Sequence, residues 1–340
     1  MESILREYIM THLLDNNLIS ERQYGFVPGR STLLQLLTCL DHWTEAIEDG
    51  NEVDVIYCDF MKAFDRVPHN FLLEKIYGYG IRSEIYGWIK DFLHERMQQV
   101  RVESNLSKWH PVTSGIPQGS VLGPLLFVLF INDLPDHVKA SETYLFADDL
   151  KVFKRIKPGQ EDSDCTELQD DIDRIKSWSE ENALQFHPDK CKRMRISAQN
   201  NSPPNYTMSD RILELTTEEK DLGVIIDSQL TFSQHLAQKV KKANQVLGII
   251  SRTIEYKAKN TILLLYKSLV RPHLEYANQV WAPQTVTHIN QLENVQRRMT
   301  RLIPGMQNHT YEERLRLLHL PSLAYRRLRG GHDRMLQNPH

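Results

Sequence analysis

Three aspartates stand where the chain is otherwise apolar. Asp59 lies at the end of the run VIYCDF, and Asp148 and Asp149 sit together inside TYLFADDLKVF. Val55, Tyr57 and Asp59 share one face of an extended segment. Each acid taken alone has an ordinary explanation, because aspartate is common at turns and strand ends. Together they meet a chemical requirement. Two Mg²⁺ ions about 4 Å apart need carboxylates presented from adjacent strand ends, with substrate phosphates completing octahedral shells. Adjacent acids on an apolar hairpin also repel each other, and a cation relieves that repulsion.

Other positions carry weaker signals. In S-G-I-P-Q-G-S, Gly119 lets a backbone approach a ligand closely. The helix expected from Pro124 would present unpaired N–H groups to anions. Arg297, Arg298 and Arg301 follow helical spacing after Val295, which suits either a phosphate backbone or a plain solvated face. The 14 histidines form no HxxxH, HExxH or Cys/His cluster, so they read as scattered structural residues rather than a zinc site. Cys39, Cys58, Cys165 and Cys191 make no CxxC pair. A disulfide framework is therefore not expected, and a reducing interior is the natural compartment.

The elements that must position these residues follow from periodicity. The first 50 residues read as helical, with Leu33, Leu36, Leu37, Leu40 and Trp43 on one stripe after a Ser31-Thr32 cap. Val53–Phe60 is β-rich. His69–Phe92 reads as helix broken near Gly78 and Gly80. Gln98–Thr113 reads as a hairpin tipped by Asn105-Leu106-Ser107. Thr143–Phe153 is a hairpin with acids at its turn, Asp164–Leu184 an amphipathic helix, and Lys192–Ser197 and Leu222–Asp227 strands. Residues 198–209, AQNNSPPNYTMS, carry the strongest linker signal. From Phe232 onward the pattern is helical. This order predicts an α+β fold, an antiparallel sheet with helices on one face. The five tryptophans read mostly as core, and no internal repeat is present.

The 340 residues are 41% hydrophobic and 25% charged, which excludes wholesale disorder and fibrous repeats. No window of 18 or more apolar residues offers a membrane span, and the N-terminus lacks the pattern of a signal peptide. The expected chain is soluble and intracellular. The net charge of −3 hides an asymmetry. Residues 231–340 contain 17 Lys+Arg against 6 Asp+Glu, a net of +11, whereas residues 1–230 carry a net of −14. A basic tail on an acidic body suits a polyanion partner.

The segments YCDFMKAFDRVPH, SGIPQGSVLGPLLF, LFADDLKVF, LQFHPDKCK and DLGVIID occur in this order. They resemble the successive palm motifs of reverse transcriptases from non-LTR (LINE-type, jockey-like) retrotransposons. QYGFVPGRST resembles that family's fingers motif, and LVRPHLEYANQVWAP and LENVQRRMTRLIPG resemble the segments C-terminal to its palm. The resemblance implies a right-hand polymerase, with partial fingers over 1–52, a palm over 53–230 and a basic, all-helical thumb-like region over 231–340. It implies RNA-directed DNA polymerase activity, with an RNA template, a DNA primer and dNTPs as partners. Two Mg²⁺ ions would be held by Asp59, Asp148 and Asp149, with Mn²⁺ as a substitute. Phe64 would be the gate against a 2′-hydroxyl, flanked by Lys62 and Ala63 near the triphosphate. Gln118 and Gly119 would lie beside the incoming nucleotide, and Arg30 would contact phosphate. Lys190 would protonate the leaving pyrophosphate, and Leu222-Gly223 would grip the primer. Asp65 would cap or brace its segment.

Met1 falls just before the QYGF motif, so the resemblance also implies a chain truncated at its N-terminus, without the family's upstream endonuclease. Nuclear localisation follows from the resemblance alone. Two other functions compete. A catalytically inactive, truncated remnant would bind RNA through the basic third. A two-metal nuclease would leave Phe64 and the P-Q-G loop without a role.

Overall fold

Val53, Asp54, Val55 and Ile56 are consecutive and all buried, so the strand that carries them, Glu52–Cys58, is covered on both faces. In the computed structural model this strand is the centre of a five-stranded sheet. The order is Glu214–Leu215, Lys192–Ile196, Glu52–Cys58, Asp149–Ile156 and Glu142–Phe146. All neighbours are antiparallel except Glu214–Leu215, which runs parallel to Lys192–Ile196. The structure describes residues 1–199 and 201–335.

The expectation of helices on one face of the sheet is corrected by that burial. On one face the Thr32–Glu48 helix sets Trp43 edge-on to Phe153, ring centroids 5.7 Å apart, and Phe153 pairs with Val55. On the other face Ile56, Cys58, Leu150 and Val152 join a core built with the helices Gly123–Ile131 and Glu161–Glu181. Every residue of Gly123–Ile131 except Pro124 is buried. Ser31 caps the Thr32–Glu48 helix by accepting from the Leu34 N–H, as its position predicts. The His69–Gly78 and Ser83–Leu93 helices break where the two glycines stand.

Two local readings shift. The hairpin over 97–111 forms, but its tip is Glu103-Ser104 rather than Asn105-Leu106-Ser107. Glu103 takes a positive φ of 54°, and Ser107 lies in the ladder, its Oγ accepting from the Val100 N–H. Trp109 is 61% exposed on this hairpin, whereas Trp43, Trp178 and Trp281 are buried core. The expected linker at 198–209 is docked instead, apart from Asn200, which lies outside the described residues. The Arg193 guanidinium donates to the carbonyls of Pro203, Pro204 and Leu213 and to Asn205 Oδ1. Tyr206 is buried and donates to Asp54 Oδ2 at 2.6 Å. Proline- and asparagine-rich composition marks irregular backbone, but one arginine fork satisfies enough carbonyls to hold it in place.

The chain divides into two compact units, Met1–Thr217 and Glu218–His340. The boundary expected at 230/231 thus falls inside the second unit, and the hairpin Glu218–Asp221/Val224–Asp227 goes with the helices that follow it. Asp227 secures that join. Its carboxylate accepts from the N–H groups of Gln229, Thr231 and Phe232 just before the Ser233–Thr253 helix. His235 is fully buried on that helix, its Nδ1 accepting from the Ile225 N–H at 3.0 Å. Burial, with Lys239 nearby, lowers its pKa to about 4. Helices Val286–Leu302 and Tyr311–Leu318 are capped by Thr285 and by a Thr310/Glu313 capping box. Among the described residues, no helix is long and apolar enough to cross a membrane.

Asp54 is the polar knot of the five-stranded sheet. It is fully buried and accepts from Arg195 Nε (2.6 Å), Arg195 Nη2 (2.7 Å) and Tyr206. Removing one member of such a network leaves a buried charge uncompensated, at a cost of about 3–5 kcal/mol. Asp54→Ala should therefore lower the urea midpoint sharply. Asp173→Ala, on the exposed side of the Glu161–Glu181 helix, should move it little.

Candidate active site

Register brings the end of the strand before Asp59 to the start of the strand that Asp149 opens. Cys58 pairs with Leu150 and Phe146 with Asp149. Asp59 therefore follows the end of the central strand, beside the start of the neighbouring one. Asp148 occupies the two-residue turn Ala147-Asp148, with Ala147 in the left-handed region at φ 55°. Asp149 is the first residue of its strand and is exposed. Burial raises the Asp148 pKa above the usual carboxylate range, and the charge of Asp59 raises it further.

The third segment arrives beside Asp59. The Met61 N–H donates to the Gln185 carbonyl, and the His187 N–H donates to the Asp59 carbonyl at 2.7 Å. The rings of Phe60 and Phe186 stack at 4.2 Å. The tight turn beyond His187 puts Lys190 Nζ 3.3 Å from Asp59 Oδ2. That oxygen is buried and, apart from this ion pair, receives no hydrogen bond. The Asp59 N–H points at Cys191 Sγ, 3.4 Å away. The donor set is hard oxygen, which fits Mg²⁺ or Mn²⁺. Among the described residues no three His, Cys, Asp or Glu side chains close around one point.

Next to the acids, Lys62 takes a left-handed φ of 50° and starts the short helix Ala63–Arg66. Ala63 is buried. Phe64 is half-buried and stacks on Phe127, centroids 4.3 Å apart and planes within 17°. The P-Q-G loop is tied to the same helix. Gln118 Nε2 donates to Asp65 Oδ1 at 2.8 Å, the Ile116 N–H donates to the Phe64 carbonyl, and Ser114 Oγ donates to the Asp65 carbonyl. Asp65 thus braces the loop, as expected. Gly119 has φ 80° with open space where a Cβ would stand, so backbone conformation rather than crowding calls for glycine there. Lys62, Arg66 and Arg96 face a cleft of about 570 Å³ bounded by this loop.

Three expectations take a different form. The N–H groups at the start of the Gly123–Ile131 helix are occupied. Glu2 Oε2 accepts from Val121 and Leu122 at 2.8 and 3.1 Å, and Ser120 Oγ accepts from Gly123. Arg30 directs Nη1 to the carbonyls of Ser20 and Gln23, so it braces the chain upstream of the helix. Arg297 packs over the Tyr311 ring at 5.0 Å, while Arg298 and Arg301 are exposed.

In the second unit Leu222-Gly223 forms a two-residue turn with φ 45° and 88°. Tyr276 Oη donates to the Leu222 carbonyl and Lys239 Nζ to the Gly223 carbonyl. Sequence reasoning missed these two props, as it missed Cys191 and Glu2. All four act through chain segments distant in sequence, and no local pattern marks them.

A mainly antiparallel sheet with acids at adjacent strand ends, and an aromatic and a glycine loop beside them, is consistent with the palm of a polymerase fold. The family model for reverse transcriptase (RNA-dependent DNA polymerase) matches residues 1–250, and the chain belongs to that family. It is 28% identical over 315 residues to the RNA-directed DNA polymerase from mobile element jockey of Drosophila melanogaster, covering 90% of this chain and 34% of that one. It is also 28% identical to the probable RNA-directed DNA polymerase from transposon X-element of the same fly, covering 98% and 38%. The chain thus spans about a third of the length of these relatives. The fold is similar to telomerase from Candida albicans solved with a TWJ fragment of telomeric RNA. There the TM-score is 0.52 and the identity 8%, over 91% of this chain and 57% of that one. Apo telomerase from Candida tropicalis gives a TM-score of 0.51 at 10% identity, over 89% and 50%.

The raised pKa of Asp148 has a stability consequence. The folded chain holds this proton more tightly than the unfolded chain does. The ionised carboxylate therefore costs stability above the raised pKa, and the cost vanishes below the ordinary value. Without metal, Asp148→Asn should be more stable than wild type at about pH 8. The gap should narrow as pH falls to about 4, the ordinary carboxylate value. Urea unfolding in chelator at both pH values checks the sign.

Proposed function

We propose that this chain is the polymerase region of a retrotransposon reverse transcriptase, extending a DNA primer 3′-hydroxyl with dNTPs along an RNA template. One observation carries the reading. Strand register carries Asp59 to the start of the strand that Asp149 opens, next to the turn that holds Asp148, and one Asp59 carboxylate oxygen is buried without a hydrogen bond. Asp59 and Asp148 would hold two Mg²⁺ ions, with Asp149 close by and Mn²⁺ as a substitute. Bound metal lowers the pKa of the primer hydroxyl and offsets charge on the departing pyrophosphate.

The chain's own residues would do the rest. Lys190 keeps an exposed amine 3.3 Å from Asp59, positioned to donate to pyrophosphate as it leaves. Phe64, backed by the Phe127 ring, presents a wall that cannot retreat when a 2′-hydroxyl approaches. Gln118 and Gly119 form the exposed rim of the nucleotide site, and Lys62 and Ala63 line its phosphate end. Leu222-Gly223 would hold the primer end. Arg298 and Arg301 would meet the phosphate backbone, with Arg297 more tightly engaged at Tyr311. A nuclear location belongs to this proposal on family grounds.

Primer extension on poly(rA)/oligo(dT) tests the whole. Wild type should incorporate dTTP in Mg²⁺, and Asp148→Asn should lose at least about a hundredfold in rate, on the scale of removing one carefully placed charge. An inactive wild type that still binds RNA would favour the silent remnant. Phe64→Val should raise the ratio of rNTP to dNTP incorporation, and an unchanged ratio in an active variant would refute the gate. Arg298→Gln with Arg301→Gln should flatten log K against log salt by about 0.7–0.9 per lost contact. An unchanged slope would assign both arginines to the solvated surface.

A further inference from the structure

The turn that carries Asp148 is held from behind by a segment far away in sequence. Gln23 is fully buried. Its Oε1 accepts two backbone N–H groups, from Gly25 at 2.7 Å and from Ala147 at 3.0 Å. Its Nε2 is buried with no partner, so the side chain is retained for its acceptor although its donor is left unsatisfied. Around it, the Tyr24 N–H donates to the Leu145 carbonyl and the Leu145 N–H to the Arg22 carbonyl. Arg22–Tyr24 thus runs as a short parallel edge along the Glu142–Phe146 strand.

Gly25 completes the contact. A Cβ built there would lie 2.3 Å from the Ala147 nitrogen and 2.9 Å from the Phe146 carbonyl carbon. Only a residue without a side chain lets the two backbones approach this closely. Arg30 fixes the brace in turn, donating to the Gln23 carbonyl at 2.5 Å. The turn needs such support. Ala147 sits in the left-handed region, which costs a residue with a Cβ some stability. Left alone, the turn would relax by moving Asp148 away.

We infer that Gln23 and Gly25 are positioning residues for Asp148: the Gln23 acceptor and the bare Gly25 backbone pin the Ala147-Asp148 turn in its left-handed conformation. The inference rests on the proposed polymerase reading for its effect on rate, but not for its effect on the turn. The fingers-like segment QYGF would then act on metal geometry rather than on substrate alone.

Gln23→Leu, Gln23→Glu and Gly25→Ala test this, with hydrogen exchange of the 143–150 peptide and Mg²⁺-dependent primer extension as readouts. Gln23→Leu removes the acceptor, whereas Gln23→Glu keeps it. In Gln23→Leu the turn peptide should exchange at least about tenfold faster, while peptides from 168–178 stay protected. Its Mg²⁺ half-saturation should rise and kcat should fall about tenfold or more, as sub-ångström misplacement of a reacting group predicts. The KM for dNTP should change little. Gln23→Glu should restore turn protection and most of the rate, and Gly25→Ala should behave like Gln23→Leu. Unchanged exchange and unchanged Mg²⁺ dependence in a folded Gln23→Leu would overturn the inference. So would a Gln23→Glu variant no better than Gln23→Leu. An inactive wild type with the expected exchange pattern would sink the polymerase reading and leave the brace standing.

Discussion

The sheet carries Asp59 and the Ala147-Asp148 turn to neighbouring strand ends, and much of the first unit holds that alignment. Sheet register decides which ends meet. The central strand is clamped from both sides by antiparallel partners, and a slip of one residue would turn Asp59 to the opposite face. Burial of Val53 to Ile56 on both faces makes such a slip costly. The buried Asp54–Arg195–Tyr206 network adds a polar constraint in the same strand, because its hydrogen bonds form only in one alignment.

Much of this was legible in the sequence. The three acids, the strand before Asp59 and the hairpin around Asp148 follow from local apolar pattern, and the order of motifs pointed to the family. What escaped was the set of contacts between segments remote in sequence. Residues 198–209 read as a linker because proline and asparagine report local backbone preference. Their docking depends on Arg193, whose role no local pattern announces. The helix start near Pro124 read as an open anion site for the same reason. Glu2, more than a hundred residues away, supplies the carboxylate that fills it. The one-sided sheet was a wrong inference from the right strands, since a run of four buried residues already implies cover on both faces.

The second unit follows a different logic. Its helices Val286–Leu302 and Tyr311–Leu318 are capped by Thr285 and Thr310. Its interior is tied by buried polar pairs, including Tyr266 with Gln296 and Tyr311 with Glu293. The hairpin at Leu222-Gly223 belongs to this body through Tyr276 and Lys239 rather than to the sheet that precedes it. The sequence boundary fell later because strand pattern and helix pattern change at Phe232, whereas packing changes at Glu218.

The wide separation of the contacting segments has a consequence for how the protein is made. Ala147 meets Gln23 across 124 positions, and Asp59 meets Cys191 across 132. Closing loops of this length precedes any reward from the contacts they bring, so such pairings form slowly and late. On the ribosome, the first 60 residues emerge with their half of the acid pair and its brace, but with nothing to brace. The centre closes only after His187–Cys191 has left the exit tunnel. Nascent chains shorter than this carry apolar strands without neighbours, a state prone to association with other chains. The geometry that brings the carboxylates together therefore also sets the period during synthesis when the protein is most exposed to misassembly.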